Sequence, residues 1–459
     1  MKEQLLLFIW RYQYFNGQDL QTEHGEPLQI ISPGELNIHQ GPDFQGASIR
    51  IGNTGWAGNV ELHIRASDWN KHAHESDKHF RNVILHVVWE NDIIEAKHTG
   101  TGSVRNIPVL VLRDRIPKWL LGQYEGWMKS RSFAPCEGQV EQVDDKVWKD
   151  WKRKLLWQRL IRKTIHIETC LQQNRQHWEE TTWWLLAKTM GGPVNGASFE
   201  AIARSLPLTL LGRHREHREQ LEALLLGQAG LLEESFQEEY PVMLQKEFRY
   251  LRSKYQLPAI HEPVLQLRMR PGNFPAVRLA QLAALLSRST AWFARIKEAE
   301  MPEEIFYLRD RGDRNSGHGI DNYDQSDIDQ SDRIDDRDQR GISASPFWDR
   351  HYTMTDKSPV KRKRIGDQML GSIIINVFSP LLFAYGSLRN DPGLIDKAVR
   401  WLEESPAERN SLIAGWGRLG VANADAADSQ ALLELSKYYC KAKRCLECAV
   451  GRTILGRGA

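Results

Sequence analysis

Apolar and polar positions follow two different periods along the chain. Leu5, Leu6, Ile9, Trp10 and Tyr14 fall near helical spacing, which predicts a helix over residues 3–15. After that the period shortens. Residues 27–32 predict a short strand stopped by Pro33-Gly34, and Gly41-Pro42-Asp43-Phe44 carries a turn signal that includes an acid. Ala47–Ile51 alternates as a half-buried strand, Gly52-Asn53 marks a turn, and Gly58–Ile64 alternates again. The polar stretch 68–82 reads as a helix or ordered loop. Val83–Trp89 is almost continuously apolar, as expected of a strand buried on both faces, and a further strand runs from Ile107 to Leu112. The order helix, three strands, helix or loop, strand predicts an α/β or α+β core over residues 1–115.

From about residue 145 to 305 the period is helical. Helices are predicted at Val147–Ile167, Trp178–Thr189, Phe199–Ser205, His214–Gly227, Tyr240–Tyr255, Ala276–Ser287 and Ala291–Ala299. Residues 308–344 are dominated by Asp, Arg, Gln, Ser and Gly, so they have little apolar area to offset ordering entropy and are expected to be a disordered insertion. Helical periodicity returns at Gln368–Tyr385, Leu394–Glu403, Glu408–Gly415 and Ser429–Tyr439. The predicted class is α+β, with an N-terminal α/β core followed by a mainly α-helical C-terminal region. The expected segments are 1–115, a connector at 116–145, helices over 146–307, the insertion, and a helical region at 345–459.

Composition narrows the setting. No apolar run is expected to reach the roughly 18–20 residues of a bilayer span, and the start lacks the long apolar stretch of a signal peptide. The expectation is a cytoplasmic protein with no membrane partner. Five cysteines in such a chain argue against a disulfide framework. A net charge of +2 gives no global pull toward nucleic acid, so such a partner would need a local basic patch. One candidate is the helix after residue 145, where Lys146, Lys149, Lys152, Arg153, Lys154 and Arg159 alternate with Trp148, Trp151 and Trp157. Its plainer reading is an amphipathic helix with the Trp face in the core. Another is the run from Pro359 to Arg364. Protein partners cannot be read from the sequence.

The chemistry concentrates near the N-terminus. Strand parity puts Glu61 and His63 on one face, and a hairpin would bring Asp43 beside Glu61. Two carboxylates meeting there suit Mg2+ or Mn2+, which take oxygen ligands. A neighbouring base would orient or deprotonate a water. Arg65, on the same face, is a candidate for added positive charge. His72, His74, His79 and His86, interleaved with Asp68 and Asp77, show no i, i+4 pair and read as a hydrogen-bonding loop plus a core histidine, His86, whose proximity to Glu61 stays open.

This arrangement resembles the PD-(D/E)xK nuclease superfamily, through Pro42-Asp43, then Glu61-Leu62-His63, with His63 where that family usually has lysine. That family's core runs helix, three strands, helix, strand. The resemblance implies a divalent-metal-dependent nuclease acting on DNA or RNA, with Asp43, Glu61 and His63 catalytic. It also implies a further carboxylate ligand from the first helix, where Glu3 is the best match and Glu35 the second. The alternative is a non-enzymatic nucleic-acid-binding or scaffold protein that has kept the fold without the activity.

Cys440, Cys445 and Cys448 place three thiols within nine residues, and the Cys-x2-Cys half has metal-knuckle spacing. The fourth ligand is expected to be Cys136, which follows Pro135 in an irregular segment. Cys170 lies in a helical pattern and reads as a small buried hydrophobe. Zn2+ and a [4Fe-4S] cluster both remain open. The site is similar to that of some superfamily nucleases that hold a [4Fe-4S] cluster with one remote and three C-terminal cysteines, but their remote cysteine precedes the core.

Across nearly its whole length the chain resembles the uncharacterised bacterial domain-of-unknown-function 2851 family. The residues behind this are Gly41–Phe44, Gly58–His63, Asp68-Trp69 with His72 and His74, Val83–Val88, Gly227–Gly230, Leu267–Pro275 and the final cysteines. The family brings no activity with it.

Overall fold

The N-terminal strands form one mixed sheet. The computed structural model describes residues 1–71, 78–93, 107–266, 273–306 and 341–456. His72, His74, Asp77 and residues 308–340 of the predicted insertion lie outside them. The strands are β1 (Leu28–Ser32), β2 (Glu35–Leu36), β3 (Phe44–Ile51), β4 (Thr54–Arg65), β5 (Val83–Glu90) and β6 (Val109–Val111). Their order is β1-β3-β4-β5-β6, with β2 also paired to β3. β1, β2 and β4 run antiparallel to β3, whereas β4–β5 and β5–β6 are parallel.

Local chemistry explains the hairpin. Ile51 faces Thr54 across the two-residue loop Gly52-Asn53, and Gly52 has φ +54°. Glycine at the first position of such a loop lets the strands keep their right-handed twist. The parallel step from β4 to β5 needs a crossover, which carries α2 (Asp68–Lys71) and a 3-10 turn (Lys78–Asn82). β5 is buried from Val83 to Val88, as its unbroken apolar run predicts. Helix α1 (Glu3–Tyr12) packs on β4 through a face holding Leu6, Ile9 and Trp10, and the Trp10 indole donates to Pro33 O at 3.1 Å.

The remaining helices are α3 (Lys118–Lys129), α4 (Asp145–Gln173), α5 (Trp178–Ser205), α6 (Leu208–Arg213), α7 (Arg218–Gln228), α8 (Glu239–Tyr255), α9 (Pro275–Arg288), α10 (Trp292–Glu298), α11 (Asp367–Ile373), α12 (Ser379–Arg389), α13 (Pro392–Glu404), α14 (Ser411–Arg418), α15 (Ala426–Leu435) and α16 (Ala449–Gly456). The α+β class holds. Helix α5 joins two predicted helices across a kink, because Gly192 takes φ +63° and Pro193 follows it. The segment read as a connector holds α3.

The expectation of no membrane-length apolar run is corrected. Asp367–Arg389 forms 23 continuous helical residues that are long and apolar enough to cross a bilayer, and 67% of the apolar window is buried inside the protein. Ser372, Asn376, Ser379 and Pro380 break up its aliphatic residues, which hid the length of the uncharged stretch. It packs as a core helix, with a π-helical turn at Ile374–Phe378.

The chain divides into two compact units. Unit 1 comprises Met1–Lys154, Asn410–Ala422 and Leu432–Ala459, and unit 2 comprises Leu155–Arg409 and Asn423–Ala431. In unit 1 the late segments are anchored by aromatic packing. Trp416 meets Phe133 and Trp148 edge-on at centroid distances of 5.2 and 5.9 Å, and its indole donates to Ser436 Oγ at 2.8 Å. Arg452 donates to Tyr12 OH at 2.6 Å, tying α16 to the end of α1. Unit 2 is helical, with α7 packed on α8 and α9. Within it Glu222 is wholly buried and accepts from Trp348 Nε1, Tyr240 OH and Ser345 Oγ.

Candidate functional site

Asp43 immediately precedes β3, and its position is set by the loop before it. Asn37 donates its amide N–H to Asp43 O at 2.7 Å and its side-chain Nδ2 to Pro42 O at 3.0 Å, while Gly41 turns the loop with φ +110°. The regular β3–β4 ladder is then replaced by two reciprocal bonds. Asp43 N–H donates to Glu61 Oε2 at 3.0 Å, and Leu62 N–H donates to Asp43 Oδ2 at 3.0 Å. Each carboxylate therefore takes a backbone donor from the other's strand, and the two acids are held side by side.

His63 follows on the same strand. Its Nε2 lies 3.7 Å from Glu61 Oε1, and its Nδ1 lies 2.9 Å from His86 Nε2. The parallel register sets Glu61 opposite His86, which is why the second imidazole arrives here. Two neutral rings can share that contact only if one donates and the other accepts. When His86 donates, the Nε2–H of His63 faces Glu61. Trp69 lies against both rings, 5.0 Å from His86 and 6.4 Å from His63 between centroids. All three side chains Glu61, His63 and His86 are buried.

Burial makes the acids hard to ionise. Desolvation, opposed by the Leu62 N–H, pushes Asp43 up to about 6. Desolvation and then the Asp43 charge push Glu61 up to about 8. Glu3, exposed at the start of α1, adds its charge to both. Glu35 lies exposed on β2 opposite Gln45. Arg65 is engaged elsewhere, 3.3 Å from Glu90. Among the described residues, no group of three or more His, Cys, Asp or Glu side chains is placed to hold a metal ion.

Four of the five cysteines lie in the same unit. Cys136, Cys445 and Cys448 are buried, and Cys440 is half-buried. Desolvation, followed by the neighbouring sulfurs, pushes Cys136 up to about 12, and burial first, then Cys448, Cys136 and Cys445, pushes Cys440 up as well. Cys170 belongs to unit 2, where Arg204 Nη2 lies 3.9 Å from its sulfur.

The Trp-rich helix α4 takes its plainer reading in part. Trp148 and Trp151 are buried, while Trp157 is 46% exposed and packs edge-on against Phe383. A basic cleft lies elsewhere in unit 2. It encloses about 600 Å3 and is lined by Arg278, Lys361, Arg362, Lys363 and Arg364 together with Gln281 and Tyr352. Lys363 Nζ sits 3.9 Å above the Tyr352 ring.

Sequence parity points to Glu61 and His63; the sequence reads His86 as a core histidine with proximity to Glu61 left open, and it misses Trp69 as a member of the site. Only the register of a parallel pair could have placed His86 there.

Fold and site together define an α+β protein with an acid–histidine cluster on its sheet. The chain belongs to the family described as "Protein of unknown function (DUF2851)", which matches residues 3–309 and 330–411. No curated protein and no solved structure matches it.

Proposed function

We propose that the chain is a divalent-metal-dependent phosphodiesterase acting on nucleic acid. One observation carries this reading: Asp43 and Glu61 are held side by side, Glu61 buried and Asp43 half-buried, and the Asp43 charge opposes ionisation of Glu61. A divalent cation relieves that opposition directly. Mg2+ is commonly bound through one or two carboxylates, with waters and substrate phosphate completing its shell, so a two-acid site suffices. Asp43 and Glu61 would hold the ion. A bound ion supplies Lewis-acid polarisation of the phosphodiester and an acidified water. His63, backed by His86, is placed to hold or move a proton beside Glu61. The basic cleft of unit 2 supports a polyanionic substrate. The nuclease-like reading of the core rests on Pro42-Asp43 and Glu61-Leu62-His63 alone.

The test is cleavage of end-labelled single- and double-stranded DNA and RNA with Mg2+ or Mn2+, by wild type and Asp43→Asn. Cleavage that needs the metal and falls by at least about 100-fold in the variant is expected, since electrostatic groups at reacting centres commonly contribute that much. Binding without cleavage under any metal would replace the enzyme with a non-catalytic nucleic-acid binder.

A further inference from the structure

The basic cleft of unit 2 is built around positive charge that its own walls do not neutralise. Its lining carries five cationic side chains and, among the described residues, no acidic one. Two of the five are drawn out of water. Lys363 is 6% exposed, and its Nζ hydrogen-bonds only to neutral oxygens: Lys361 O at 3.2 Å, and Asp349 O and Ser358 Oγ at 3.4 Å. The Asp349 carboxylate instead accepts from the Lys363 backbone N–H at 3.2 Å. Arg278, on α9, is half-buried. Its Nη1 and Nη2 donate to Gln281 Oε1 at 3.0 Å and Asn273 Oδ1 at 3.1 Å, again neutral groups, and its buried Nε has no hydrogen-bond partner. Burial pulls its pKa below the usual arginine range. A cation held away from water without an anionic partner is costly.

The frame fixes these charges in place. Gln281, buried on α9, donates to Lys363 O at 3.3 Å and Arg364 O at 3.0 Å, which fastens the basic segment to the helix. The segment also pairs with residues 342–344: Ala344 N–H donates to Lys363 O at 3.0 Å, and Ile365 N–H donates to Ile342 O at 2.8 Å. The Tyr352 ring beneath the Lys363 ammonium packs in turn against Phe274, 5.4 Å between centroids. Lys361 and Arg362 are exposed and add charge that can move onto a ligand. Positive groups ordered before any ligand arrives reduce the ordering cost of binding an anion.

We propose that this cleft binds the phosphates of a ligand about the size of one nucleotide, with Arg278 and Lys363 as its fixed cations. Its volume of about 600 Å3 falls in the range of small-molecule pockets, about 300–1,000 Å3. One phosphate group brings a charge of about −1.5 to −2, too little for five cations, so a ligand with several phosphates matches better. Guanidinium grips phosphate oxygens in a fork, and ammonium acts as a point charge; the cleft offers both. Gln368 and Ser372 line it as well and supply donors and acceptors for the rest of the ligand. The same chemistry reaches the cleft from two sources, a free nucleoside polyphosphate or the end of a single strand. The phosphodiesterase reading draws on this cleft, but the binding inferred here needs neither the acid pair nor a metal.

The experiment is equilibrium binding to the full chain in chelator, so that no result depends on cleavage. The probes are ATP, inorganic tripolyphosphate, adenosine, a short single-stranded oligonucleotide and a closed circular duplex. ATP or the oligonucleotide is expected to bind, tripolyphosphate to compete, and adenosine to do neither. Binding of ATP assigns the cleft to a free nucleotide, and binding of the oligonucleotide without ATP assigns it to a strand end. Arg278→Gln and Lys363→Met should each weaken the bound probe by about tenfold or more, as expected for lost charge-assisted hydrogen bonds. Lys149→Ser, exposed on α4 in unit 1, should leave the affinity unchanged. If the two cleft variants do not fold, the exposed pair Lys361→Ser and Arg362→Ser decides, with the same loss expected. Binding of neither ATP nor the oligonucleotide, no competition by tripolyphosphate, an affinity unchanged in the cleft variants, or equally tight binding of the closed duplex would each overturn the proposal. Any of these would leave the metal-dependent cleavage test standing.

Discussion

Glu61→Gln is expected to stabilise the metal-free protein at alkaline pH. The folded state raises Glu61 from 4.5 to about 8, through burial first and the Asp43 charge second. An acid whose pKa rises on folding holds its proton more tightly in the native state. Its contribution is therefore present below the unfolded value and is lost as pH climbs through the folded one. At pH 8 that loss is about 4 kcal/mol at most, since each tenfold gain in proton affinity on folding is worth about 1.4 kcal/mol, and opening of the site would reduce it. The groups facing Glu61 are Asp43 and Glu3, both acidic, and His63 at 3.7 Å. Asp43, raised to about 6, titrates in the same direction. Glutamine keeps an oxygen to accept from Asp43 N–H and removes the charge. For a unit of this size each kcal/mol moves Tm by roughly 2–4 °C, so the wild type should lose about 10 °C between pH 5 and pH 8. The variant should lose much less. The assay is a thermal melt in chelator, followed by melts in Mn2+, which should restore the wild type at pH 8 and leave Glu61→Gln unmoved. A wild-type Tm that is flat or rising over this range, or an unchanged pH slope in the variant, would refute the reasoning.

Two further outcomes concern unit 2. Gly227→Ala would put a Cβ 2.2 Å from the Phe248 ring, and overpacking of this kind costs about 1–3 kcal/mol or more; urea unfolding should show it, and an unchanged midpoint would contradict the packing. Glu222→Ala would strand Trp348 Nε1 in the core and leave Tyr240 OH and Ser345 Oγ with each other, 2.9 Å apart. A loss of roughly 1–3 kcal/mol is expected in the same measurement, the cost of one unsatisfied buried donor.

Much of this is legible in the sequence because it is local. The two-residue period fixes which face carries Glu61 and His63, and the turn at Gly52-Asn53 makes the β3–β4 hairpin the natural pairing. The pairing of His86 with Glu61 stays open in the sequence, because it depends on a parallel register set by the crossover, not by neighbours in sequence. Helix α3 is hard to see because Gly122 and Gly126 weaken its local signal, while Leu120, Tyr124 and Trp127 bury one face in tertiary contact. The acid pair is visible as two residue types; that each is fastened by the other's backbone N–H is not.

Unit 1 closes only with residues 432–459, although its sheet is complete by Val111. During synthesis the sheet therefore waits for hundreds of residues before α16 reaches Tyr12. Contacts so distant in sequence form late and slowly, and N-terminal segments that fold first are exposed meanwhile. Protein quality control would thus meet an unfinished N-terminal half for most of translation. A nick or truncation near the C-terminal cysteines would also remove contacts made by the beginning of the protein.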